Sequence, residues 1–108
     1  MTEPIVVFMT APSVEEGRRI AEHLVEAQAA ACVQILPEIE SVYRWENEVK
    51  REKELLILAK TTADRFSELE KQVRERHSYE IPEIIAVAVT KVSASYLDWL
   101  MNEMKRGS

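Results

Sequence analysis

Five residues of this 108-residue chain have types and settings suited to binding chemistry: Glu54, Lys60, Tyr79, Glu83 and Trp99. Lys60 follows the apolar run Leu55-Leu56-Ile57-Leu58-Ala59, Glu83 opens a second apolar run over 84–89, and Ile81-Pro82 closes the loop that carries Tyr79. A buried charge is costly unless paired, so a partnership of Lys60 with Glu83 or Glu54 is the minimum expectation. Two readings fit the set. One is architectural. In the other, a small cleft between subunits binds an anion or carboxylate through Lys60 and His77, with Tyr43, Trp45, Tyr79 or Trp99 as walls.

His77 stands where a helix should end, so its imidazole is either a C-terminal cap and packing group or a ligand for a metal or a proton. Cys32 beside Val33 reads first as an inert core thiol. A metal role for it needs a second soft ligand nearby, and no CxxC, CxC or HxxxH spacing occurs in the sequence. Neither a nucleophile with its base, nor a Gly-rich phosphate loop, nor a catalytic carboxylate pair is readable, so the chain does not read as an enzyme.

The elements that must position these residues follow from periodicity. The compact apolar run 5–9 reads as a buried strand. Ser13-Val14-Glu15-Glu16 forms a capping box for a helix reaching to about Gln28, with Val14, Ile20, Ala21, Leu24 and Val25 as its apolar stripe. Two very long strands occupy 31–61 and meet at Glu46-Asn47, with Pro37 marking a bend or bulge. A tight turn there pairs Trp45 with Glu48, Tyr43 with Lys50, Ser41 with Glu52 and Glu40 with Lys53. Thr62-Ala63-Asp64 opens a second helix carrying Phe66, Leu69 and Val73. Residues 84–89 repeat the buried-strand pattern, and Ser93 or Ser95 caps a last helix with Leu97, Leu100, Met101 and Met104 inward.

The order βαββαβ plus a terminal helix predicts an α+β, ferredoxin-like sandwich in a single domain over 1–108. Its hairpin is too long for it. Fifteen strand residues reach roughly 50 Å, against about 34 Å across for a compact chain of this length. A ribbon that overhangs its domain while carrying Val42, Tyr43, Trp45, Val49 and Leu55 needs a second surface, and an identical subunit is the expected supplier. The run 55–59, apolar on both faces, argues the same way.

Charge and composition narrow the function classes. Nineteen acidic against fourteen basic side chains, net −5, disfavour a phosphate-neutralising surface, so no nucleic-acid partner is expected. The apolar runs are too short to cross a bilayer. The lone cysteine fits a reducing compartment, and the expectation is a cytoplasmic protein with no membrane partner.

Beyond periodicity, Thr10-Ala11-Pro12, Ala30-Ala31-Cys32-Val33, Pro37, Ser41-Val42-Tyr43-Arg44-Trp45, Glu54, Lys60-Thr61-Thr62, residues 77–83 and Tyr96-Leu97-Asp98-Trp99 occur in an order that resembles the CutA family over nearly the whole chain. The resemblance implies a homotrimer assembled through the long strands and a link to divalent-cation tolerance. Copper, or another divalent metal ion, enters as a ligand the family implies; no cofactor is required. The motifs depart from the family at two places. Asn47 stands where a glycine is usual. Where some bacterial members have a Cys and two adjacent His for copper, this chain has Met9, Arg76 and His77. His77 is retained, Met9 is a soft thioether, Cys32 is a further thiol, and Arg76 does not ligate. A rival from the signalling class is a PII-like trimeric effector-binding protein, which shares the subunit plan; the Gly and basic nucleotide contacts of that class are not found here.

Overall fold

The computed structural model describes residues 2–105. Its elements are β1 (Pro4–Ala11), α1 (Val14–Glu26), β2 (Cys32–Trp45), β3 (Glu48–Thr62), a 3-10 turn (Ala63–Arg65), α2 (Phe66–Arg76), β4 (Ile84–Ala88) and α3 (Ala94–Glu103). The strands form one sheet in the order β2-β3-β1-β4, with every neighbouring pair antiparallel. This is the ferredoxin-like arrangement expected from the element order.

Ser13 caps α1, its hydroxyl accepting from the Glu16 amide at 3.2 Å. Gly17 lets that helix lie close to the sheet, since a Cβ there would stand 3.1 Å from Leu55 Cδ2. The helix ends at Glu26 with Ala27 as its C-cap, and Gln28, at a φ of 56°, takes the left-handed position that follows many helices. Arg65 Nε donates to the carbonyl of Gln28 at 3.2 Å, tying the end of α1 to the start of α2. The second helix begins later than expected, because residues 63–65 wind as a 3-10 turn first. α1 and α2 bury Ile20, Leu24, Leu69 and Val73 against Val7, Met9, Ile57 and Ala59, all nearly or fully inaccessible.

Every expected cross-strand pair of the hairpin is present: Trp45 with Glu48, Tyr43 with Lys50, Ser41 with Glu52 and Glu40 with Lys53. The turn places both Glu46 (φ 50°) and Asn47 (φ 66°) in the left-handed region, the requirement of a type I′ connection. The register shifts between Leu36 and Ile39, where Pro37 and Glu38 (φ 55°) oppose Leu55 alone, a bulge at the expected proline. The ribbon does project. The chain measures 46 × 27 × 22 Å with a radius of gyration of 14.5 Å, against about 13 Å for a compact chain of this length.

Two strands differ in burial from the expectation of full cover. β1 alternates, Val7 and Met9 being buried while Val6 and Phe8 are only half-buried. β4 is an exposed edge, with Ile85 and Val87 at 54% and 44% accessibility. The reason is geometric: α1 and α2 cover one side of the sheet, and α3 covers only part of the other. The open side carries Val6, Phe8, Leu36, Leu56, Leu58, Ile85 and Val87, aligned by the strand register, and Tyr43 and Trp45 continue it along the ribbon.

Candidate functional site

The five candidate residues fall into two groups. Glu54, Tyr79 and Glu83 gather where the ribbon leaves the body. Glu54 is buried and accepts a 2.7 Å hydrogen bond from the Tyr79 hydroxyl. Burial, and then the bond to Glu54, push the Tyr79 hydroxyl well above the ordinary phenol range. Burial and the nearby Glu54 charge raise the Glu83 carboxyl as well. One step further along the ribbon, the Tyr43 hydroxyl donates to Glu52 at 2.7 Å, a bond that raises its pKa. The result is an acidic and phenolic corner with Glu54 at its centre.

Lys60 and Trp99 lie at the other end of the sheet. Lys60 Nζ donates to Gln34 Oε1, in place of the expected bond to Glu54 or Glu83. Glu54 and Lys60 lie on one continuous strand six residues apart, roughly 20 Å at about 3.3 Å per residue, beyond side-chain reach. Glu83 precedes Ile84, the partner of Met9, whereas Lys60 lies in the row of Val6 and Val87. Trp99 on α3 is exposed and packs on Tyr96, ring centroids 5.5 Å apart. Tyr96 contacts the Cys32 sulfur, and burial followed by that contact raises its pKa. Lys60, Gln34 and Cys32 share the open face with this aromatic pair nearby.

His77 closes α2 as its C-cap, and its side chain is fully inaccessible. Its Nε2 lies 2.7 Å from the Thr10 carbonyl oxygen, and its Nδ1 accepts from the Tyr79 amide at 3.0 Å. Glu16 joins it. The Glu16 carboxylate accepts from the Ser78 amide at 3.0 Å and the Ser78 hydroxyl at 3.1 Å, and lies 3.4 Å from His77 Nδ1. In the capping box Glu16 is expected to reach back to its own helix start; instead it crosses to residues 77–78. Sequence reasoning assigns it only the local role, because a first-turn glutamate carries no mark of a distant partner.

Met9, Cys32 and His77 do not fit a common metal site within one chain. Met9 is 1% exposed in the helix-covered core, in register with Ile57, while Cys32 is in register with Lys60 on the opposite side of the sheet. Both His77 nitrogens are engaged. Arg76 Nη1 donates to Gln72, and among the described residues no group of three or more His, Cys, Asp or Glu could hold a metal ion.

A four-stranded antiparallel sheet with two helices on one side, an overlong hairpin and a terminal helix partly covering the other side defines an α+β, ferredoxin-like protein with an extended ribbon. The chain belongs to the CutA1 divalent ion tolerance protein family, whose pattern matches residues 5–103. A divalent-cation tolerance protein CutA from Thermus thermophilus is 47% identical over 95 residues, 88% of this chain and 92% of its own length. A solved divalent cation tolerance protein from Thermus thermophilus superposes with a TM-score of 0.92 at 44% identity, over 94% of this chain and 99% of that one. A chloroplastic CutA of Arabidopsis thaliana is 42% identical over 94% of this chain, which spans 56% of that relative. The family thus includes a chloroplastic member. Among the described residues no helix is long and apolar enough to cross a membrane.

Proposed function

We propose that this chain works as a homotrimer in divalent-metal tolerance, as a binding or sensing module and not as an enzyme, in the cytoplasm. The observation that carries the reading is the open sheet face. Phe8, Leu56, Leu58, Ile85 and Val87 present a contiguous apolar surface that continues onto a ribbon projecting past its own domain. Patches of this kind mark interaction surfaces, and self-association of identical ribbons covers both the face and the overhang at once.

Assembly also gives the two groups of candidate residues a reason to exist. Lys60 and Trp99 of one subunit, brought beside Glu54, Tyr79 and Glu83 of another, form a cleft with one cation, two carboxylates and aromatic walls. Such a cleft suits a small polar ligand carrying both charges. The metal-tolerance role rests on family membership, and within one chain Met9, Cys32 and His77 do not come together to serve it.

Size-exclusion chromatography with light scattering tests the assembly. A mass three times that of the chain is the expected result, and a monodisperse monomer would sink the reading. Thermal-shift screening of amino acids, organic acids and nucleotides, with Lys60→Ala and Tyr79→Phe as controls, tests the cleft. A stabilising ligand should lose its effect in both variants.

A further inference from the structure

We infer that His77 is a pin locked in one tautomer, which holds the loop of residues 77–83 in place and delivers Tyr79 to Glu54, and that it does not ligate metal in this protein. A carbonyl oxygen only accepts, so the 2.7 Å contact with Thr10 requires the proton on Nε2. A backbone amide only donates and cannot rotate, so the 3.0 Å bond from Tyr79 requires a lone pair on Nδ1. Together these call for a neutral ring with its donor and its acceptor both in use; Glu16 Oε2, 3.4 Å from Nδ1, is farther than the Tyr79 amide and is spent on Ser78. A metal needs one of those nitrogens as a lone pair.

The surroundings resist any rearrangement that would free one. Coordination at Nδ1 displaces the Tyr79 amide, and coordination at Nε2 strips the Thr10 carbonyl of its partner beneath a side chain with no solvent access. Glu16 does not turn aside to become a second ligand, because its Oε2 already holds the Ser78 amide and hydroxyl. The Tyr79 ring packs on the imidazole, centroids 4.7 Å apart and planes tilted by 49°, and from there its hydroxyl reaches Glu54. One imidazole therefore connects β1, the end of α2 and the loop, and Glu16 of α1 holds the same loop separately through Ser78. All of these contacts lie within one chain, so the inference is independent of the trimeric reading and survives a monomeric mass.

Long-range proton–nitrogen correlation spectra of the full, 15N-labelled protein near neutral pH test it directly. The expected pattern has Nε2 protonated and Nδ1 as a bare acceptor, unmoved when Zn(II) is added in excess over the chain. A protonated Nδ1, or a saturable Zn(II)-dependent displacement of either nitrogen at one ion per chain, overturns the inference. Calorimetry with Cu(II) should give the same heats for wild type and His77→Gln; loss of one ion per chain from the variant overturns the claim about metal. Amide exchange supplies the positioning test, with roughly tenfold or faster exchange of the Tyr79 amide expected in His77→Ala. Unchanged exchange there overturns the pin.

Discussion

The two sides of this sheet are made from the same kinds of residue and meet opposite fates. Ile57 and Leu58 are neighbours on β3, yet Ile57 is fully buried beneath α1 and α2 while Leu58 is only half-buried on the other side. Val7 and Phe8 repeat the contrast on β1. A strand with water on one side alternates apolar with polar, and these strands do not. The open side therefore has the composition of a core face, although the described residues cover it only in part.

Leu58→Asp puts the largest strain on that contrast. If the open side is an interface, a charge there should abolish the assembly, read as a fall in mass by light scattering, while far-UV dichroism stays close to wild type. Ile57→Ala probes the covered side and should destabilise by about 2–5 kcal/mol in urea unfolding without changing the assembled mass. His77→Ala, which leaves the Thr10 carbonyl and the Tyr79 amide without partners, should cost about 1–3 kcal/mol in the same assay. Smaller effects come from the ribbon. Glu46→Asn, at a left-handed turn position that asparagine tolerates better, should stabilise by up to ~1 kcal/mol.

The smallest effect concerns pH. Glu83 has its carboxyl raised by burial and by Glu54, so the fold favours the protonated form. The stability that goes with this proton is fully present below the ordinary carboxylate range and is lost as pH rises through the raised value. Glu83→Gln should therefore raise the melting midpoint at neutral pH, with the advantage vanishing in acid. A difference that grows on acidification would contradict the assignment.

Much of the fold is legible in the sequence because its signals are local. The turn at Glu46-Asn47 sets the hairpin register pair by pair, and Pro37 marks the bulge. Ser13 marks the start of α1 for the same reason. What is not legible depends on distance and on face. An apolar run such as residues 84–89 says that a strand wants cover, but not that the cover is missing from its own chain. Charge alone matches Lys60 to Glu54 and Glu83, whereas the strand's own length keeps Glu54 away and hands Lys60 to Gln34. Glu16 reads as a capping residue, and only the folded chain shows it holding Ser78, 62 positions later.

The bulge at Pro37–Glu38 also governs how β2 can vary. Before it, the even-numbered Cys32, Gln34 and Leu36 share the open side; after it, the odd-numbered Ile39, Ser41, Tyr43 and Trp45 do. The inserted residue is a half-period phase shift in the strand's pattern. Removing Glu38 would leave Pro37 alone opposite Leu55 and every downstream pair unchanged, so Tyr43 and Trp45 would keep to the open side while the strand lost the bend and extra twist of the bulge. A single-codon deletion at a regularly paired position of β2 has no spare residue to absorb it and would slip the pairing and exchange the faces on one side of itself, so the bulge is the place where the strand's length can change without its faces changing.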